Sequence, residues 1–452
     1  MKKFISQPYG NKEIIMNTQK TKALKNKAVK LIPGMTQLLS KRPDRFGREI
    51  WPTYFKEAKG VSITDLDDNV YLDFSIGGIG ATVLGYADED VNQAVIDVIN
   101  KGSASTLNAP EEVELAEKLI ELHPWAGMAR FARSGGEAMS IAVRIARAAT
   151  GKDKVVFCGY HGWTDWYIAA NLGKKEALDD HWIAGLNPNG IPKGLTGTAI
   201  PFKYNEIDDF KNAIKQAGDD LAAIVMEPIR NFEPTQEFLD IIHNTAKEKN
   251  IPLVLDEITA GFRICNGGAH LKLGFHPDIV VFSKALGNGF PISAIIGKEW
   301  IMKSAQDAFI TSTNWTERTG STAALAMINK FVKNDVSKHL LHIADLVWSG
   351  WEKLSNKYGF NLHLGGFKPL IHFAFPDNHL LYTTYFTQEM LKKGFLAGSG
   401  FYAMYAHTED DVKKYLSACD EVFAQLKLHI EKNDVQAQLQ SQIAQSGFGR
   451  IN

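Results

Sequence analysis

From Val70 onward the chain alternates short, uninterrupted apolar runs with longer stretches in which apolar residues return at helical spacing. Residues 111–122 spread Val113, Leu115, Leu119, Ile120 and Leu122 over a helical face. Residues 136–150, rich in Ala, Met, Ile and Arg, close at Gly151 and predict a second helix. Runs suited to buried strands follow at 155–157, 222–226, 253–255, 279–282 and 293–296, with a helical stretch at 236–249 among them. This alternation predicts an α/β fold: a mostly parallel sheet covered by helices on both faces. In such sheets ligands sit beyond the carboxyl ends of the strands, so residues directly after the runs are the candidates for chemistry. Beyond Ala323, a long helical stretch leads into a second unit with a strand at 370–375 and helices at 382–393 and 409–428.

Composition narrows the class without naming it. Lys and Arg total 50 against 51 Asp and Glu, which argues against a nucleic-acid or membrane-surface role driven by bulk charge. No apolar run approaches the roughly 18 residues of a membrane span. Three cysteines, Cys158, Cys265 and Cys419, give no disulfide framework and fit a reducing cytoplasm. The first 30 residues hold eight lysines and one acid, Glu13, but no apolar stretch of a secretory signal. They predict a flexible, solvated extension over 1–35. The polar residues 431–452 predict a loosely held tail.

Three strand ends carry unusual residues. The run at 251–255 ends in Asp256-Glu257, the run at 279–282 in Ser283-Lys284, and the stretch from Arg130 to Arg133 leads through Ser134-Gly135-Gly136-Glu137 into a helix. Singly, each has a plain reading: a helix cap, a solvated lysine, a turn. Together they define a chemistry. A lysine at a concave apolar strand end is desolvated, so its amine becomes a nucleophile toward carbonyls. Glycines at a helix N-terminus leave backbone N–H groups free for a phosphate. A buried carboxylate needs a cationic partner, and a protonated pyridine nitrogen supplies one. These are the three contacts that pyridoxal 5'-phosphate (PLP) requires.

The stretches "ARSGGEAMSIAVRIARAATGKDKVVFCGYHGW", "LDEITAGFR" and "PDIVVFSKALGNGFPISAIIGK" resemble the class III aminotransferases of the fold-type-I PLP enzymes, in particular the glutamate-1-semialdehyde 2,1-aminomutase branch. The similarity runs from about Tyr54 to Val422, and Lys284 follows Asp256 by 28 residues, the family's spacing. The resemblance implies a large domain with a mostly parallel seven-stranded sheet flanked by helices, over 96–322. It also implies a smaller α/β domain built from 36–95 and 323–430. Lys284 would carry the cofactor as a Schiff base and then shuttle a proton, and Asp256 would hold the pyridine nitrogen. Ser134, Gly135 and Gly136 would hold the phosphate, and Tyr160 would stack on the ring with His161 beside it. Glu227 would lie near the phenolic oxygen. Thr316, 32 residues after Lys284, stands where the family supplies a phosphate contact from a neighbouring subunit, with Thr313 as runner-up, so a homodimer is implied.

The departures concentrate where the substrate pocket is expected. Gly136 replaces the family's threonine, Thr53-Tyr54 replaces Val-Arg after Pro52, Tyr402 replaces Glu after Phe401, and Glu317-Arg318-Thr319-Gly320 replaces Ser-Gly-Asn-Pro. They imply the same cofactor chemistry on a different substrate. The expected activity is transfer of an amino group from a small-molecule donor, glutamate by resemblance, to a carbonyl acceptor such as a keto-sugar or another non-amino-acid aldehyde. The aminomutase reaction is the first alternative and a non-catalytic binding protein the second. Gly78-Ile79-Gly80 mimics a dinucleotide fingerprint without its third glycine, and Cys158 with His161 has metal-ligand spacing but no second pair. Trp163, Trp166 and Trp182 are open to either pocket lining or simple packing.

Overall fold

A computed structural model describes residues 18–174, 176–181 and 183–449. Trp182 and the first lysines, Lys2, Lys3 and Lys12, therefore lie outside the described residues. Three strands come first, β1 (Phe55–Lys59), β2 (Ser62–Asp65) and β3 (Val70–Phe74), paired as an antiparallel meander. Seven more follow: β4 (Met128–Ala132), β5 (Lys154–Cys158), β6 (Ala199–Pro201), β7 (Leu221–Met226), β8 (Leu253–Asp256), β9 (Ile279–Phe282) and β10 (Ser293–Gly297). They form one sheet in the order β4-β10-β9-β8-β7-β5-β6. The block from β9 to β6 is parallel throughout, and β10 runs antiparallel to both neighbours.

Every residue of β7 to β10 is buried, which is why these strands read as unbroken apolar runs. Alternate side chains enter two different cores. Val155, Val225, Val254, Val281 and Ile295 pack under the helix Gly135–Thr150, whose buried face carries Ala138, Met139, Ala142 and Ala146. Val156, Ile224, Leu255 and Val280 face the opposite core with Ala323, Met327 and Phe331 of the helix Thr319–Lys333. The long helical stretch expected after Ala323 is two helices, Thr319–Lys333 and Val336–Tyr358.

The last four strands are β11 (His363–Phe367), β12 (Leu370–Ala374), β13 (Phe395–Ala397) and β14 (Gly400–Tyr402). β11, β12 and β14 form a three-stranded sheet, while β13 lies parallel to β3 as the fourth strand of the N-terminal meander. Both ends of the chain thus share a sheet. The helices His379–Lys392 and Glu409–Glu431 cover it, the second started by Thr408, whose side chain accepts from Asp411 N.

Two expectations about the ends change. Part of the supposedly flexible extension is a helix, Gln19–Leu31, whose first amides, Lys20 N and Thr21 N, donate to Asp67 at 2.7 and 2.9 Å. A carboxylate at a helix N-terminus satisfies donors that have no intrahelical partner. The described tail is tied down as well. Gln445 N donates to Asp44 O at 2.8 Å, and Arg42, buried in an ion pair with Asp44, donates to Gly449 O at 2.7 Å. Among the described residues no helix is long and apolar enough to cross a membrane.

Candidate active site

The carboxyl ends of β8 and β9, adjacent parallel strands, deliver Asp256 and Lys284 to the same edge of the sheet. Lys284 follows β9 by two residues and holds a positive φ of 46°, a costly backbone state for a residue with a side chain. Burial and the nearby Arg230 guanidinium bring its ammonium down from the usual lysine range to about 8. Its Nζ donates to Thr259 Oγ1 at 2.8 Å. An amine so placed is substantially neutral near pH 8 and has the lone pair a carbonyl needs.

Asp256 is fixed from two sides. Oδ1 accepts from Ile258 N at 3.0 Å, and Oδ2 lies 2.9 Å from His161 Nδ1. The other ring nitrogen of His161 lies 3.1 Å from the carbonyl oxygen of Cys158, which can only accept, so Nε2 carries a proton. His161 is fully buried and therefore reaches the site through Asp256. Its Nε2 contact is with the Cys158 backbone carbonyl rather than the thiol. Among the described residues no group of side chains is arranged to hold a metal.

At the end of β7, Glu227 is buried, paired to Arg230 at 2.6 Å, and accepts from Tyr160 N at 3.0 Å. Gly159 makes that approach possible. Its φ is +108°, and a Cβ there would stand 2.5 Å from Glu227 Oε2. Burial raises the Tyr160 phenol above its ordinary value. Arg263, 1% exposed, donates to the carbonyls of Thr259 and Gly80, and its burial lowers it to about 10. Tyr402 packs against Gly80, close enough to Arg230 and Arg263 for both charges to act on its phenol.

Ser134, Gly135 and Gly136 start the helix Gly135–Thr150, where Glu137 Oε2 accepts from Arg133 N at 2.9 Å and Ser134 N at 3.4 Å. A Cβ on Gly135 would stand 2.8 Å from Ile258, the residue two after Asp256, so this helix start abuts the end of β8. Trp163 lies against Gly136 and is 73% exposed, whereas Trp166 is packed among Phe157, His161 and Tyr167. Thr316 and Thr313 are exposed on a turn, Thr313–Thr316, and the hydroxyl of Thr316 donates to Thr313 O at 3.0 Å.

Most of the residues picked from the sequence therefore converge on one sheet edge. Thr259, Arg230 and Arg263 were missed. Two of them sit within the quoted LDEITAGFR stretch, but nothing in its pattern says which side chains turn inward.

The chain belongs to the class-III aminotransferase family, whose sequence profile matches residues 46–400. It is 30% identical over 419 residues to a 3-aminobutyryl-CoA aminotransferase from Cloacimonas acidaminovorans (strain Evry), covering 90% of this chain and 97% of that one. It is also 30% identical over 438 residues to a glutamate-1-semialdehyde 2,1-aminomutase from Methanosphaera stadtmanae, covering 91% of this chain and all of the relative. The FumI protein of Sphingopyxis sp. MTA144, solved in its PLP internal aldimine form, superposes with a TM-score of 0.82 at 26% identity, covering 93% of this chain and 98% of the other. The chain is an enzyme of this fold, and its cofactor is PLP. The buried low-proton-affinity amine, the fixed carboxylate one strand away and the glycine-opened helix start fit the aldehyde, pyridine nitrogen and phosphate of that group.

Proposed function

We propose that this enzyme transfers an amino group from glutamate to a carbonyl acceptor that is not an amino acid, a keto-sugar or another aldehyde or ketone. The observation that carries the reading is the juxtaposition of Lys284, held near pH 8 neutrality, with the doubly fixed Asp256 on adjacent strand ends. When bound, PLP supplies the electron sink that lets a C–H bond beside the substrate nitrogen ionise. Lys284 would bind the cofactor, and its freed Nζ would take the proton from that carbon and deliver it to the carbon on the far side of the nitrogen. Thr259 Oγ1 holds Nζ in place between those events. Asp256 keeps a proton on the pyridine nitrogen, steadied by His161. Ser134, Gly135 and Gly136 would hold the phosphate, Tyr160 would stack on the ring, and Glu227, paired with Arg230, would lie near the phenolic oxygen.

The same reading assigns residues 96–322 to the cofactor domain and 36–95 with 323–430 to a smaller one. It places the enzyme in the cytoplasm as a homodimer in which Thr316 serves the neighbouring subunit's phosphate. The large exposed side chains Leu107 and Phe309, 81% and 86% accessible, support a second copy as partner. The acceptor class is supported by Tyr54 and Tyr402, which replace an arginine and a glutamate of the aminomutase pattern.

A second reading, the aminomutase reaction, is favoured by the full-length similarity to an aminomutase. Glutamate alone separates the two. Mixed with PLP-loaded enzyme and no acceptor, it should release up to one 2-oxoglutarate per site and change the cofactor's visible absorbance. No release would overturn the glutamate-donor reading. Turnover of glutamate-1-semialdehyde without a second substrate would establish the aminomutase instead.

A further inference from the structure

Arg133 precedes the proposed phosphate cradle by one residue, and its side chain reaches the 313–317 turn. Nε donates to Asn314 O at 2.7 Å, and Nη2 donates to Trp315 O at 3.0 Å and to Glu317 O. Its guanidinium also pairs with the Glu317 carboxylate at 3.9 Å. Three carbonyls of the 313–317 turn are thus gathered on one fork. The far end of the turn is pinned separately, where Arg318 pairs with Glu111 and Arg318 N donates to Ser103 O at 3.0 Å. Thr319 N and Oγ1 close on Glu317 at 2.8 and 2.7 Å. A turn held this firmly on its inner side nevertheless leaves Thr313, Asn314 and Thr316 exposed.

A surface turn ordinarily gives its carbonyls to water. Gathering three of them on one arginine costs rotamer freedom and desolvates a charge, and it makes sense where the outward side chains must be presented in one geometry. Arginine meets these three acceptors from two separate nitrogens of its planar fork, Nε and Nη2. A lysine ammonium is one point with three donors.

We propose that Arg133 is a positioning residue for cofactor binding, fixing the 313–317 turn so that Thr316 is presented to the phosphate site of a second copy. Because Arg133 adjoins Ser134, it ties the cradle of one site to the turn that serves the other. The inference rests on the reading of Thr316 as the cross-subunit phosphate contact.

The test is PLP affinity in a double-mutant cycle on full-length apo protein, titrated by absorbance, with hydrogen exchange of the 311–319 peptide. R133M and T316A should each weaken PLP binding, by about tenfold for loss of one hydrogen bond to a charged group. The double variant should bind no more weakly than either single one, and R133M alone should speed exchange across the turn. R133K keeps the charge but not the fork, and it should show the same weakening if R133M does not fold. Independent, multiplying effects would overturn the inference, as would unchanged PLP affinity in the Arg133 variants beside a weakened T316A. If T316A itself binds PLP like the wild type, the underlying reading of Thr316 fails, and the inference with it.

Discussion

The chemistry of single residues depends on what burial does to Lys284. Its ammonium lies at about 8 in the folded chain against 10.5 for an exposed lysine. Below pH 8 the amine is protonated in the apo protein and cannot attack. The rate of PLP uptake, followed by absorbance, should therefore rise with pH to a plateau with its midpoint near 8. The same shift sets a stability term. Between pH 8 and 10.5 the unfolded chain binds the extra proton, so this group makes the apo fold more stable as pH rises through that window. Arg230 is the first charge contributing to the depression. R230M should move the uptake midpoint above 8, and an unmoved or lowered midpoint would refute the assignment. Lys284→Ala should abolish transfer, a loss of about 10⁴-fold or more for a group serving as both nucleophile and proton carrier.

At the scale of elements, the site is made by strand ends and the turns that follow them. The strands were legible because β7 to β10 are buried on both faces and leave unbroken apolar runs. Asp256 and Lys284 stood out because both close such runs in the same chain as the Ser134-Gly135-Gly136 stretch, a combination that none of them carries alone. β6 was not legible, since three residues ending in proline at a sheet edge leave no periodic signal. Arg230 and Thr259 were not either, because a turn's sequence does not reveal which side chain points inward. His161 was picked for the motif around it, but its contact is with Asp256. Gly159 tests how tightly the β5 turn is built. Gly159→Val forces a side chain onto Glu227 at positive φ, and should cost about 1–3 kcal/mol in urea unfolding and weaken PLP binding. Gly151→Ala has a positive φ of 65° but open space around it, so it should cost about 1 kcal/mol and leave PLP affinity alone.

Over the whole molecule, the two chain ends lock the parts together. β13 joins the N-terminal meander, and the tail bridges Asp44 and Arg42 to Ala184, where Phe448 N donates at 2.8 Å. His181, three positions earlier in the sequence, accepts at Nδ1 from Gly159 N at 3.4 Å beside the site. Deleting residues 439–452 should lower the melting temperature by a few degrees, since several backbone hydrogen bonds of about 1 kcal/mol each are lost. It should also weaken PLP binding, because Gly159 adjoins Tyr160 and Glu227, and an unchanged PLP affinity would show that the tail is only a structural strap. Of all the lysines, Lys284 is the one proposed to carry the cofactor. Borohydride reduction of the PLP-loaded enzyme, followed by proteolysis and mass spectrometry, reads this directly. A phosphopyridoxyl group should appear on Lys284 alone; modification of another lysine, or of none, would overturn that assignment.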